Sequence, residues 1–202
     1  MCASLASGGF RAIADEPTVA GSTSSFGYLK NGDLKEGWTY WHGSGEMAFL
    51  NKDGSEGSEG DKDVMPVIKI PLSHGESREV YQDYNIGDSP DTLNFNLDIF
   101  ASKDFKRSSY KTDYNCNLMG NTEDWSWYVV VPCADFWIRS SPAAYFYITR
   151  PLTPGAWTTV NYSWPLSLKV DSRTVYFCVP PGDGVVYIKN PSITGPNVPA
   201  AK

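Results

Sequence analysis

The sequence predicts one all-β domain, a jelly-roll β-sandwich of two antiparallel sheets. The chain has 202 residues, a length that large sandwiches often reach as a single domain. Aromatic residues make up 14% of the chain and charged residues only 20%, and 18 Gly and 14 Pro residues supply turns. About ten short apolar or alternating runs follow one another without a helical stripe longer than two turns. This pattern favours many short strands joined by tight turns.

The chain is predicted to divide into a flexible lead-in at residues 1–25, a sandwich domain at 26–195 and a tail at 196–202. The lead-in is rich in Ala, Ser, Gly and Thr and shows no sustained period. Residues 51–63 are acidic and contain no apolar side chain, which predicts a solvated connecting loop. The alternative is a calcium loop, but Glu56 stands where the EF-hand spacing requires Gly.

Strands are predicted along the whole domain. The first, at 26–29, is short and is followed by Asn31-Gly32-Asp33, a turn signal. Residues 103–121 are polar and are predicted to be irregular. The predicted strands, apart from the two described next, are 26–29, 37–41, 46–50, 64–71, 125–131, 136–139, 144–150, 156–164, 173–179 and 184–193.

Two segments, 78–86 and 92–100, alternate between apolar and polar residues. This period of two predicts antiparallel strands with one face on the core and one face in water. The short segment 87–91 between them contains Gly and Pro, so the two strands are predicted to pair as a hairpin. The residues predicted to face the core are Val80, Gln82, Tyr84 and Ile86 on the first strand and Leu93, Phe95, Leu97 and Ile99 on the second.

The charge of the chain argues against nucleic acid as a partner. The formal net charge is −6, and no run of Lys or Arg is present. Affinity for nucleic acid rests mainly on neutralising phosphates, which such a chain does poorly. No apolar stretch approaches the roughly 18 residues that a membrane-spanning helix needs. We therefore expect neither a nucleic-acid partner nor a transmembrane segment.

The four cysteines suggest three different roles. Cys2 directly follows the initial Met, which fits either ordinary coding sequence or the lipid-bearing Cys of a mature lipoprotein whose polar lead-in is a tether. Cys116 and Cys133 flank an aromatic segment and are candidates for a disulfide if the protein is exported. Cys178 lies in an apolar run and is predicted to be a buried free thiol.

Three ordered segments carry recurrent turn and strand motifs. Residues 31–38 (NGDLKEGW) form a turn motif that ends in Trp, and 80–86 (VYQDYNI) with 92–95 (TLNF) form a central strand pair. The last segment comprises 155–160 (GAWTTV), 175–177 (VYF) and 184–193 (GVVYIKNPSI). Together they resemble the galactose-binding-like β-sandwiches that serve as non-catalytic carbohydrate-binding modules. The first motif departs from the family pattern because its Gly and Trp are adjacent.

The resemblance covers roughly residues 26–195 and is weakest over 101–140. Its motifs concern packing and turns, so it implies a fold more than a ligand. The family often carries a structural calcium ion, and the resemblance implies Asp33 and Glu36 as oxygen ligands from the first turn. The closing strand departs from the family pattern because Lys189 stands where an acidic residue is usual, which weakens the case for calcium.

The sequence contains no recognisable catalytic motif. A nucleophile elbow, a zinc-binding HExxH sequence and the Gly-rich phosphate loops are all missing. The only histidines, His42 and His74, lie in predicted turns, and no CxxC spacing accompanies them, which argues against zinc. Glycosidases need only two carboxylates, and 23 acidic residues leave such a pair open without singling one out.

A carbohydrate-binding face is the function with the most supporting residues. Sugar rings stack their C–H faces on aromatic side chains, while their hydroxyls need amide or charged partners. Aromatic side chains in a sandwich are also common in the core, and Trp38 and Trp157 are assigned there. For Trp125 and Trp127 a buried strand fits the pattern equally well. The predicted ligand-binding residues are Trp125, Trp127, Trp137, Arg139, Tyr145, Tyr147, Tyr81 and Asn85, with Tyr81 and Asn85 expected beside Asn94, Asn96 and Asp98.

The leading hypothesis is a non-catalytic carbohydrate-binding module of a secreted or surface-anchored protein, with a glycan or polysaccharide as its partner. The first alternative is a structural or adhesion domain that binds a protein at the cell surface, because sandwiches serve both roles. The second is a jelly-roll hydrolase or lyase acting on glycans. No cofactor is expected beyond the calcium ion that the resemblance implies.

Overall fold

A computed structural model describes residues 26–74, 78–86, 91–107, 152–165 and 172–195, together with the backbone of four strands between 115 and 150. All regular structure in this part of the chain is β. The predicted lead-in and tail lie outside the described residues. The strands are β1 (His42–Gly43), β2 (Glu46–Leu50), β3 (Glu56–Gly57), β4 (Met65–Pro71), β5 (Arg78–Asn85), β6 (Thr92–Ala101), β7 (Lys106–Arg107), β8 (Asn115–Met119), β9 (Tyr128–Pro132), β10 (Phe136–Ser141), β11 (Ile148–Arg150), β12 (Trp157–Pro165), β13 (Ser172–Val179), β14 (Gly182–Asp183) and β15 (Val185–Thr194).

Two antiparallel sheets form the sandwich. The five-stranded sheet has the order β1-β5-β13-β10-β11, and the six-stranded sheet has the order β12-β6-β15-β4-β2-β3. Two small ribbons, β14-β7 and β8-β9, accompany them. The predicted all-β jelly-roll sandwich is therefore confirmed. In this part of the chain no helix is long and apolar enough to cross a membrane.

Side chains from both sheets fill one core. In β5 and β6 the residues that the alternation predicted to face the core are buried, and Val80 and Ile99 are completely buried. The buried thiol predicted at Cys178 is also confirmed, and it is not part of a disulfide. The largest core cluster includes Ile68, Ile70, Val80, Tyr84, Leu93, Phe95, Ile99, Val175, Phe177, Val186 and Ile188.

The predicted hairpin between β5 and β6 is wrong. β5 lies between β1 and β13, whereas β6 lies between β12 and β15 in the other sheet. The chain between them therefore passes from one sheet to the other. Alternation shows which face of a strand is buried, but it leaves the pairing partner open because strands of two facing sheets both turn their apolar faces to the same core.

The segment 37–41, predicted as a strand, forms consecutive turns instead. The Gly37 amide donates to the Leu34 carbonyl at 3.1 Å, and the Trp41 amide donates to the Trp38 carbonyl at 3.1 Å. The turns direct Leu34 and Trp41 into the core, where each is 1% exposed. The apolar content of this segment predicted a strand, but its backbone hydrogen bonds join residues three apart, as in turns.

Neither of the two tryptophans assigned to the core is fully buried there. Trp38 packs against the main cluster and Trp157 against a smaller cluster around Phe100, and both are only partly buried. Trp41 takes the interior position instead, with its ring centroid 5.8 Å from that of Phe177. Trp157 is the register partner of Phe100, and both lie on the outer face of the six-stranded sheet, not in the core between the sheets.

A buried amide joins β5 to the segment before β1. The Gln82 side chain is 1% exposed, and its Oε1 accepts from the Lys30 amide at 2.7 Å. Its Nε2 donates to the Lys30 carbonyl at 2.9 Å. Both polar ends of the side chain are satisfied by one peptide segment, which is what burial of an amide requires.

We expect replacement of Gln82 by Leu to destabilise the fold by about 2–3 kcal/mol. Leu is apolar and somewhat smaller, and it leaves the Lys30 amide and carbonyl without these partners. Urea unfolding measures the loss, and Asp83→Asn, an exposed change on the opposite face of β5 that preserves an acceptor, is the matched control with a change within about 0.5 kcal/mol. Equal stability of Gln82→Leu and the wild type would contradict the structural role of these bonds.

Candidate functional site

Three aromatic rings form a row across the outer face of the five-stranded sheet. His42 on β1 is the register partner of Tyr81 on β5, and Tyr81 is the partner of Tyr176 on β13. The ring centroids are 5.4 Å apart for His42 and Tyr81 and 5.3 Å apart for Tyr81 and Tyr176. Because the strands lie about 4.8 Å apart, the three rings cover roughly 10 Å. His42 is exposed, and the two tyrosines are half-buried.

Hydrogen-bonding groups flank this aromatic row along the strands. On one side the exposed Asp83 carboxylate accepts from the Thr174 hydroxyl at 2.6 Å. On the other side the Cys178 thiol lies 3.8 Å from the Glu79 carboxylate and donates to it. These contacts hold each carboxylate toward its neighbouring strand, so the two acids are ordered beside the rings.

The structure brings some of the predicted ligand residues to this sheet. Tyr81 belongs to the aromatic row, and Asn85 is exposed on the same strand opposite Ser172. The backbone register places Arg139 opposite Tyr176 and Trp137 opposite Cys178. The remaining predicted ligand residues, which are Trp125, Trp127, Tyr145 and Tyr147, lie outside the described residues.

His42 and Tyr176 were missed by sequence reasoning. His42 was assigned to a turn because a single His before Gly carries no periodic signal. Tyr176 alternates with Val175 and Phe177, which does place it on the outer face of a strand. However, only the strand order makes it a neighbour of Tyr81, and that order joins strands far apart in sequence.

The predicted grouping of Tyr81 and Asn85 with Asn94, Asn96 and Asp98 is wrong. The two sets lie on strands of different sheets, because β5 and β6 do not pair. Asp98 accepts from the Thr159 hydroxyl of β12 at 2.6 Å, and its other oxygen lies 3.8 Å from Lys189 of β15. The predicted binding surface that combined the two sets was therefore wrong because it assumed that β5 and β6 form a hairpin.

Around Phe100, the outer side of the six-stranded sheet is covered by the chain's own side chains. Phe100 packs against Trp157 and Tyr187, with ring centroids 5.3 Å and 6.2 Å away. The Lys189 ammonium lies 4.0 Å from the centre of the Trp157 ring, a cation–π contact. Gly54, in the 51–63 loop, approaches Phe100 so closely that an added Cβ would overlap the ring. The aromatic groups here pack against one another and against the loop.

Glu56 joins the 51–63 loop to this covered face. Its carboxylate accepts from the Tyr187 hydroxyl at 2.6 Å and lies 3.0 Å from the Lys69 ammonium. The loop had been predicted to be a solvated connection, but it contains β3 and these contacts. Its composition gives no sign of them, because a charged loop residue and a strand Tyr carry no pairing signal.

These contacts shift the pKa values of all three groups. The hydrogen bond from Tyr187, followed by that from Lys69, holds the pKa of Glu56 below its usual value of 4.5. The pKa of Lys69 is raised, chiefly by its hydrogen bond to Glu56. Burial and then the Glu56 carboxylate raise the pKa of Tyr187. The charged carboxylate is thus the form that this arrangement favours.

The first turn does not favour calcium at Asp33. The Lys35 ammonium lies 2.9 Å from the Asp33 carboxylate, where it competes for the oxygens that a calcium ion would need. Burial acts to raise the pKa of Asp33, but hydrogen bonds and charge attraction from Lys35 outweigh it and lower that pKa. Glu36 is exposed, and its amide donates to the Asn31 side chain at 3.0 Å. The calcium hypothesis for this pair stays a prediction.

A calcium loop at residues 51–55 is not favoured either. The Asp53 carboxylate accepts from both the amide and the hydroxyl of Ser55, at 3.0 Å and 2.6 Å. The Asn51 amide nitrogen donates to the same hydroxyl at 3.1 Å. Among the described residues, no three His, Cys, Asp or Glu side chains form a group that could hold a metal ion.

The known proteins that this chain resembles share its fold. No protein-family model and no curated protein matches the sequence. Tailspike protein 4 of bacteriophage CBA120, in its enzymatically active domain, is similar with a TM-score of 0.50 and 11% identity over 85% of this chain and 22% of that chain. TmCBM61 in complex with β-1,4-galactotriose is similar with a TM-score of 0.47 and 9% identity, over 83% of this chain and 97% of that chain. A family 16 carbohydrate-binding module has a TM-score of 0.48 and 12% identity over 83% and 99%.

Most of the similar solved structures are carbohydrate-binding modules with β-sandwich folds. The resemblance to such sandwiches that the motifs predicted is confirmed at the level of the fold. At these identities the likeness concerns the architecture alone, so the ligand has to be argued from the surface of this chain.

We expect Glu56→Gln to lower stability at neutral pH by up to about 1 kcal/mol, since Glu56 is partly exposed and solvent screens its ion pair. The folded pKa of Glu56 is depressed, so its contribution is present above the unfolded value and is lost as pH falls through the folded pKa. The difference between wild type and variant should therefore shrink below about pH 4.5 and vanish in stronger acid.

Urea unfolding of both proteins between pH 7 and pH 3 tests this expectation. Glu59→Gln changes an exposed carboxylate in the same loop and is the matched control. A stability difference for Glu56→Gln that stays constant over this range would contradict a contribution from the charged carboxylate.

Proposed function

We propose that this protein is a carbohydrate-binding module whose binding face is the outer side of the five-stranded sheet. The observation that carries the proposal is the aromatic row formed by His42, Tyr81 and Tyr176, with carboxylates ordered on both of its sides. The motif resemblance of the sequence supports the same class of function.

The row supplies the two contacts that a sugar needs. Rings fixed at strand spacing, with neighbouring rings tilted by 34° and 35° to each other, offer aromatic surface on which the C–H faces of sugar rings can stack. Asp83 and Glu79 accept hydrogen bonds from hydroxyl groups at the edges of those rings. The rings lie on paired strands, so little side-chain freedom is lost on binding. We infer that the ligand lies along the row, across the strands.

The two outer faces of the sandwich differ in how their aromatic rings are packed. On the six-stranded sheet, Phe100 is in contact with Trp157, Tyr187 and the Gly54 turn, and Lys189 covers one side of the Trp157 ring. The loop and Lys189 thus lie against the rings of that face. The exposed His42 ring favours the five-stranded sheet as the binding face.

The alternatives receive less support from the described surface. A protein-docking domain is expected to expose a contiguous apolar patch, whereas Tyr40 and Tyr162 are the only large hydrophobic residues among the described ones that are more than about a third exposed. A hydrolase needs two convergent carboxylates. Glu79 and Asp83 are four residues apart on β5, about 13 Å along a strand, and each contacts a different residue of β13.

We expect Tyr81→Ala and Tyr176→Ala each to weaken glycan binding roughly 10-fold or more, because each removes one stacking surface. Tyr81→Phe keeps the ring and should bind like the wild type to within a few-fold. A glycan array identifies a ligand for the wild type, and calorimetric titration with that ligand then measures the affinities of the variants.

Tyr162→Ala is the matched control for these variants. Tyr162 is 36% exposed and lies on β12 of the other sheet, so its loss should leave the affinity unchanged. Failure of the wild type to bind any glycan, or unchanged binding by both alanine variants of the row, would contradict the proposal.

We further propose that the protein is secreted or held at the cell surface, with Cys2 as a lipid attachment point. A glycan ligand outside the cell and the polar lead-in after Cys2 support this location. Mass spectrometry of protein isolated from its native cells should find acyl chains on Cys2. An unmodified Cys2 in protein recovered from the cytosol would contradict both parts.

A further inference from the structure

The segment from Asn31 to Tyr40 contains three non-glycine residues with left-handed backbone conformation. The φ angles are 50° for Asn31, 57° for Leu34 and 72° for Tyr40. Such angles are uncommon outside glycine and are costly for bulky residues. They persist only where surrounding contacts determine the backbone, and where they cluster they often mark a functional site.

The Asn31 side chain determines the shape of this segment. Its Nδ2 donates to the carbonyls of Gly37 at 2.9 Å and Thr39 at 3.1 Å. Its Oδ1 accepts from the Glu36 amide at 3.0 Å. The Trp41 indole nitrogen adds a bond to the Asn31 carbonyl at 3.2 Å. The turns therefore form a braced unit that can hold a strained residue in place.

Hydrogen bonding accounts for the left-handed conformation of Asn31 and packing for that of Leu34, whereas neither accounts for that of Tyr40. Asn tolerates this conformation well, and Asn31 is the hydrogen-bonding centre of the segment. Leu34 is 1% exposed, so its conformation places a large apolar side chain in the core. Tyr40 is 43% exposed and contributes no comparable burial. The conformation of Tyr40 presents an aromatic ring to solvent at a cost in stability.

The position of this ring relates it to the aromatic row. Tyr40 is two residues before His42, so their Cα atoms are at most about 7 Å apart. The Lys30 ammonium lies 5.0 Å from the centre of the Tyr40 ring and supports one side of it. Gln82 fixes the backbone of Lys30 from within the core. Tyr40 thus lies close to β1 along the chain, and it is 43% exposed.

We propose that Tyr40 is a further sugar-stacking residue, which extends the aromatic row beyond His42 so that the site binds an oligosaccharide in preference to a single sugar. This inference rests on the proposed function. The ligand class is a neutral oligosaccharide, since the carboxylates beside the row disfavour anionic sugars. Lys30 acts as a positioning residue for the ring.

The test compares Tyr40→Gly with Tyr40→Phe, using the glycan found on the array and a shorter fragment of it. Glycine adopts the left-handed conformation without strain, so Tyr40→Gly should raise Tm by about 2–4 °C. It should also weaken binding of the longer oligosaccharide roughly 10-fold, with a smaller effect on the fragment. Tyr40→Phe should retain both affinities.

Tyr81→Ala separates this inference from the proposed function. If Tyr81→Ala reduces binding and Tyr40→Gly leaves the affinity unchanged, the row stands and the role of Tyr40 is overturned. If the wild type binds no glycan, the proposed function fails and the inference with it. A fall in Tm for Tyr40→Gly would also overturn the inference, because it would show that the ring stabilises the fold.

Discussion

The two hydrogen bonds between the Gln82 amide and the Lys30 backbone connect segments 52 residues apart. Gln82 lies on the core face of β5, and a buried amide must be satisfied within the protein. Lys30 supplies both partners, which fixes the start of the turn segment that inserts Leu34 and Trp41 into the core and continues into His42. The position of His42 on the outer face therefore depends on a polar contact on the inner face of the neighbouring strand.

The register of the five-stranded sheet determines which side chains are neighbours on its outer face. Residues of a strand alternate between faces, so a slip of one residue would bring Tyr81 into the core and expose Val80 and Gln82. The buried face thus determines the register, and the register places Tyr81 beside Tyr176 and His42. The apolar core that stabilises the fold also preorganises the rings, which leaves less ordering to be done when a ligand binds.

The sequence allowed prediction of those features that depend on one strand at a time. Alternation in β5 correctly assigned Val80 to the core and Tyr81 to the outer face. The pairing of strands was predicted less well, because two facing sheets impose the same alternation, and the supposed hairpin placed Asn94 beside Tyr81. The contribution of Tyr176 depends on that pairing, and the bond from Tyr187 to Glu56 joins a strand to a loop without any local signal.

Both sheets of the sandwich carry aromatic residues on their outer faces, and the 51–63 loop makes the two faces different. A side chain at Gly54 would collide with Phe100, so glycine is what allows the loop to lie against that ring. Glu56 then joins the loop to Tyr187 and Lys69. On the five-stranded sheet the His42 ring is exposed and the rings of Tyr81 and Tyr176 are half-buried. The same alternating pattern therefore yields one face against which the loop packs and a second face on which the proposed binding site lies.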